Sequence, residues 1–227
     1  RRSSDLMQFS VKATAALKLA AWIALVFCAA HPAHSTERFE KPEYWLSRGY
    51  SRVTRPSRPP RKEERPSWSA HSLVWPVKFQ DARHTIGNSM AEFQSYGDGP
   101  YYHGGLDLRV ERLGRVTTPV TGRIEAGHYG YSNNPDGSSV KYWAPWPKGG
   151  DPMYFEVAVI TEDGYRFEFH HMNEKALSPQ ILEILKAGQG VVAARTDLGE
   201  TVQWPSGGGE YHHTHYNIVT PSGRFLN

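Results

Sequence analysis

A single cysteine, Cys28, occurs in 227 residues, and it lies in an N-terminal apolar stretch directly after Phe27. Phenylalanine is too bulky for the small residue expected before a lipidated cysteine. Once that stretch is removed the chain has no thiol, which excludes a disulfide framework while suiting an oxidising compartment. Long apolar runs are equally scarce. The one candidate, from about Leu19 to Ala30, is shorter than the roughly 20 residues that a spanning helix needs. No membrane span is therefore expected in the mature chain, an uncleaved anchor being the alternative. A strong charge of one sign is also missing. The formal net charge is only +3 and the basic excess sits before residue 67, so the folded part is not expected to bind nucleic acid. No repeat of fixed period is present, which argues against solenoids and propellers.

What is present divides into three parts. Residues 1–35 read as a secretory signal peptide starting at Met7, with Lys12 and Lys18 before the apolar run and small residues suited to cleavage near Ala30 or Ser35. The protein is accordingly expected to be secreted or periplasmic, or associated with a cell wall. Residues 36–66 are rich in Arg, Pro and Ser with few aliphatics, the composition of a disordered or extended linker. Residues 67–227 change texture to short apolar runs separated by Gly, Asn, Asp and Pro. In "FEVAVITEDGYRFEF" two β-rich arms flank Asp163-Gly164, a strong hairpin signal. The segment "SPQILEILKAG" predicts one helix, with Ser178 as N-cap, Pro179 in the first turn and Gly188 as the stop. An all-β domain with one short helix near 178–187 follows, and a monomer is expected. Between Gly130 and Pro152 lies a stretch crowded with Tyr, Trp, Pro and Gly, which reads as a long ordered flap beside a groove.

The histidines carry the chemistry. "PYYHGGLDL" sets His103 and Asp107 four residues apart. Taken alone, this is a turn with a solvated charge pair, a helical contact, or half of a metal site. "EYHHTHYNIV" places His213 and His215 at alternate positions of a strand, hence on one face. "RFEFHHMN" ends a hairpin arm on His170 and His171, of which at most one faces any given site. A catalytic zinc takes three protein ligands, commonly His and carboxylate, and leaves a fourth position for water or substrate. His103, Asp107 and either His213 or His215 meet that count. The remaining imidazoles could then serve as acid, base or oxyanion donors. The two glycines between His103 and Asp107 are read as letting the backbone bend and leaving room for a passing peptide.

The order HxxxD, then "FHHM", then HxH resembles the lysostaphin/LytM-type (gamma-lytic) zinc metallopeptidases, which cut peptide bonds in bacterial peptidoglycan. "HGGLDLRVERLGRVTTPVTGRIEAG", "LKAGQGVVAARTDLG" and the closing "GRFLN" are similar to further motifs of that family, and the likeness runs from about Ala70 to Asn227. The resemblance implies an antiparallel two-layer sheet or split barrel of the lysostaphin-like, duplicated-hybrid-motif type. It implies a Zn2+ cofactor held by His103, Asp107 and His215, with His171 and His213 as the catalytic histidines. It also implies peptidoglycan peptide stems or bridges as the partner. Departures are present as well. Tyr216 and Asn217 stand where the family has Phe and Glu, the Gly130–Pro152 stretch is longer, and His212 adds an adjacent imidazole. Asn88 is either a turn former beside Gly87 or a group that approaches the metal. The alternatives are a noncatalytic peptidoglycan-binding or hydrolase-activating domain of the same fold, and a basic protein that binds acidic polymers through residues 36–66. For an enzyme of this kind, deletion of 36–66 is expected to spare activity on soluble muropeptides.

Overall fold

The computed structural model describes residues 40–54, 68, 73–77, 86–96, 99–136, 138–204 and 211–226; the signal-peptide reading of residues 1–35 lies outside them. The molecule is mostly β, with antiparallel sheets, the larger curled into a half-barrel. Its chain runs α1 (Pro42–Ser47), β1 (Ser51–Arg52), β2 (Phe93–Tyr96), β3 (Gly99–Tyr102), β4 (Leu106–Arg109), β5 (Arg115–Thr117), β6 (Gly122–Asn133) and β7 (Ser139–Pro145). A 3-10 turn at Pro152–Tyr154 then leads into β8 (Phe155–Ile160), β9 (Arg166–Phe169), β10 (Met172–Leu177), α2 (Pro179–Ala187), β11 (Val191–Val192), β12 (Asp197–Thr201), β13 (His213–Val219) and β14 (Phe225–Leu226). The large sheet has the order β1-β7-β6-β8-β9-β13-β14, with β11 added to β6 and β4 added to β13. Strands β10, β12 and β5 form a second sheet, and β2 and β3 a hairpin.

Period-two patterning explains the layers. Phe155, Val157 and Val159 of β8 and Phe167 and Phe169 of β9 are fully buried on one face, where they meet Leu108, Met172, Ile181 and Leu198. The hairpin signal at Asp163-Gly164 corresponds to the β8–β9 pair, whose turn uses Gly164 at φ +84°. Helix α2 begins where Ser178 Oγ accepts from the Ile181 amide and stops at Gly188 in the left-handed region, so both caps act as read from sequence.

Two expectations need correction. The stretch Gly130–Pro152 is not a long flap: β6 and β7 run on as a hairpin, paired from Gly127 opposite Pro145 to Asn133 opposite Ser139. Tyr, Trp and Val within it are good strand formers, and the Gly and Pro content concealed them. Residues 40–54, assigned above to a disordered linker, are folded. Trp45 and Tyr50 are buried against Tyr142 and Ala144, and β1 pairs with β7, Ser51 opposite Trp143 and Arg52 opposite Tyr142. Averaging composition over 36–66 diluted the aromatic run "PEYWLSRGY", whose rings supply the apolar area that the Arg and Pro residues lack. Residues 36–39 and 55–66 of that assignment lie outside the described residues. Among the described residues, no helix is long and apolar enough to cross a membrane.

A candidate metal centre

Strand β13 organises the site. Its first half pairs with β4, so that His215 lies opposite Asp107 and His213 opposite Arg109. Its second half pairs with β9. The β9 chain continues past its strand: His170 N–H donates to His215 O at 2.9 Å, and Thr214 Oγ1 donates to His170 O at 2.9 Å. At His171 the backbone turns into the left-handed region, φ +59°. That corner carries the chain out of the large sheet and into β10, and it also breaks the strand alternation, so both adjacent imidazoles approach the same neighbourhood. A non-glycine residue held there implies a local strain that the surrounding packing maintains.

Asp107 sits at the centre. Its Oδ1 lies 3.1 Å from His103 Nε2 and 3.1 Å from His215 Nδ1, with His213 Nε2 at 3.9 Å. The rings of His103 and His215 meet edge to face at 4.5 Å. His103, Asp107 and His215 are all buried, and their ligand atoms lie within 4.8 Å of one another. Two tetrahedral ligands about 2 Å from a metal such as zinc stand about 3.3 Å apart, and the two separations to Asp107 Oδ1 are close to that value. Burial acts to raise the Asp107 pKa, but the neighbouring imidazoles of His213, His103 and His215 hold it well below the usual carboxylate range. The carboxylate is therefore ionised, as a ligand must be.

The tautomers follow from hydrogen bonds to carbonyls, which can only accept. His103 Nδ1 donates to Ser89 O at 3.0 Å, His213 Nδ1 to Tyr211 O at 2.9 Å and His171 Nδ1 to Met153 O at 2.9 Å. In a neutral ring that assignment leaves the lone pair on Nε2. The outer oxygen of Asp107 is held separately, by Asn88 Nδ2 at 2.6 Å and the Tyr211 hydroxyl at 3.4 Å. Asn88 thus acts on the carboxylate, and its backbone carbonyl accepts from the Asp107 amide. Gly105 is the glycine with a packing reason. A Cβ there would lie 1.9 Å from Asn217 Oδ1 and 2.8 Å from His215 Nε2, so its role is close approach between β4 and β13.

Comparison with protein-family models, curated proteins and solved structures returned no match. The reading of the site therefore rests on its own geometry. His171 packs on His213, ring centroids 4.8 Å apart, and on Trp204 at 4.2 Å, while the Tyr129 hydroxyl lies 3.0 Å from its Nδ1. Burial, then the neighbouring His213, push the His171 pKa well below its ordinary value, which keeps this imidazole neutral. His212 points elsewhere: its Nδ1 accepts from the Trp204 amide at 3.1 Å, which separates its role from that of His213. A cavity of about 640 Å³ borders His103, His215 and Asn217, a volume suited to a small ligand or part of a chain.

Sequence reasoning missed a second buried group. Glu156, Glu168 and His170 also converge closely enough to hold a cation. Here, however, the positive charge is supplied by side chains. Lys141 Nζ contacts both Glu156 and Glu168, and Arg166 reaches Glu156 at 3.0 Å and Glu168 at 3.1 Å. His170 Nε2 lies 2.9 Å from Glu156, and its ring stacks on His215 at 4.9 Å. This network is a platform beneath the metal group. The signal was Glu156 in "FEVAV" together with Arg166 and Glu168 two apart in "RFEF", which reads as a solvated face when one strand is considered by itself. Tyr129, Tyr154, Trp204 and Tyr211 were missed too; only the sequence proximity of Tyr211 to His213 hinted at any of them.

Proposed function

We propose that this chain is a secreted zinc metalloendopeptidase of the lysostaphin/LytM type, which hydrolyses peptide cross-links or bridges of bacterial peptidoglycan. The observation that carries the reading is the convergence on Asp107 of two imidazoles, His103 from the turn between β3 and β4 and His215 from β13, with the neutral His171 and the tethered His213 nearby. A purely structural histidine cluster has no need to hold three neighbouring rings by Nδ1–H donation to backbone carbonyls, two of them presenting Nε2 to one ionised carboxylate. The donor set of two imidazoles and one carboxylate, bordering a cavity that supplies room for a further ligand, fits a catalytic zinc. When bound, zinc supplies Lewis-acid activation of water and of the peptide carbonyl.

The remaining steps belong to the chain's own groups. Ser89 O, accepting from Nδ1, fixes the His103 ring, so its Nε2 is presented toward Asp107 Oδ1 without rotamer search. Neutral His171 takes a proton from the attacking water at Nε2 and returns it to the leaving amine, the cycle expected of a general base that becomes a general acid. His213, whose Nε2 faces Asp107, is the second group able to hydrogen-bond the developing oxyanion. The test is incubation of the purified protein with purified walls of differing cross-link chemistry, followed by mass spectrometry of the soluble products. Release of peptides with new amino termini, abolished by a chelator and restored by zinc, is expected. Wall binding without peptide release would instead indicate a noncatalytic domain.

A further inference from the structure

The segment Glu40–Thr54 is separated from His103 by about fifty residues of sequence, yet it borders the same cavity. Its attachment is extensive. The Glu40 amide donates to Tyr131 O at 3.0 Å, and Trp45 Nε1 donates to the same carbonyl at 2.9 Å. Ser132 Oγ donates to Glu40 O, the Val53 amide to Lys141 O at 2.8 Å, and Lys148 Nζ to Gly49 O at 2.5 Å. Trp45 is 3% exposed and stacks on Tyr142 at 6.4 Å. Gly130 makes room for it: a Cβ there would lie 2.3 Å from the Trp45 ring. An arm held by five hydrogen bonds and a buried tryptophan is part of the fold.

Where this arm ends matters more than how it is held. Arg52, Val53 and Thr54 border the 640 Å³ cavity that also borders His103 and His215. Val53, Thr54 and Lys141 border a second cavity of about 350 Å³ as well, which extends to Glu125, Arg166 and Thr220. The three shared residues border both spaces, so the surface beside His103 and His215 continues along the arm towards Glu125 and Arg166. Lys141, at the junction, is already neutralised by Glu156 and Glu168. Its role in the wall is therefore shape more than charge. Tyr131 couples the arm to the chemistry, since its carbonyl receives the arm while its side chain borders the cavity and packs on Tyr129 at 5.7 Å, the neighbour of His171.

We propose that Glu40–Thr54 is a substrate-recognition arm: it walls the cleft beyond the metal group and selects extended peptides that reach past the residues flanking the cleaved bond. This rests on the endopeptidase reading for the identity of the substrate, but not for the existence of the binding surface. Binding energy collected far from the reacting atoms is a common means of favouring long substrates.

The probes are a cross-linked muropeptide dimer and the excised cross-link dipeptide, used with the full chain and two variants. Trp45→Ala releases the arm, and Thr54→Trp fills the junction while leaving the tryptophan anchor in place. Calorimetry with each probe reads the surface directly. The wild type is expected to bind the dimer at least about tenfold more tightly than the dipeptide. Both variants are expected to reduce that preference to about twofold or less, with the dimer KM rising more than its kcat falls and zinc affinity unchanged. An undiminished preference in Thr54→Trp, or equal affinity of the wild type for both probes, overturns the proposal. If the wild type cleaves neither probe, the endopeptidase reading fails, while the binding ratio still decides the role of the arm.

Discussion

At His171 two demands meet in one residue, a left-handed backbone at φ +59° and a neutral imidazole against His213. They can be separated by substitution. Glycine adopts that backbone freely whereas alanine pays a steric cost, so His171→Gly is expected to be about 1 kcal/mol more stable than His171→Ala. Both should lose peptide hydrolysis. Urea unfolding alongside the cleavage assay reads the two effects independently, and equal stability of the variants would show that the corner relaxes around either side chain. Asp107 was legible in the sequence because its partners recur at fixed spacings, HxxxD and HxH. The residues that fix tautomers were not, because Ser89, Met153 and Tyr211 contribute backbone carbonyls, and any side chain supplies one.

The element most misread was the arm. Its helix α1 is only six residues long, too short to stand alone, and β1 contributes two residues to the sheet. Neither has a strong periodic signal. Docking by Trp45 and Tyr50 creates them, which is a tertiary effect invisible to local pattern. The β8–β9 hairpin and α2 were legible for the opposite reason, since their turn and caps are written in adjacent residues. Gly130→Ala is expected to expel Trp45 and destabilise the chain by about 1–3 kcal/mol through overpacking, together with faster proteolysis after Arg48 or Arg52. Deletion of 36–66 is now expected to impair action on muropeptides, because it removes a cleft wall and not merely a spacer.

For the molecule as a whole, the buried network under the metal group ties stability to pH. Burial and Glu168 act to raise the Glu156 pKa, but Lys141 and His170 bring it down from 4.5 to about 2. Because the folded-state value is depressed, the stabilisation is complete above pH 4.5 and is lost as pH falls from there through about 2. Glu156→Gln should flatten that acid limb of the stability profile. At neutral pH it should cost about 3–5 kcal/mol, because Lys141, Arg166 and His170 lose a buried counter-charge. A thermal-denaturation series from pH 2 to 7 checks both.

The platform and the metal group meet where His170 stacks on His215. Whether His103, Asp107 and His215 hold a zinc ion is decided by measuring zinc per chain, by elemental analysis and competition with a chelating dye, in the wild type, His103→Ala, Asp107→Ala and His215→Ala. One tightly held zinc is expected in the wild type, with a loss of affinity of at least about tenfold in each folded variant. A wild type that binds no zinc, or three variants that bind it as well as the wild type, would contradict that expectation.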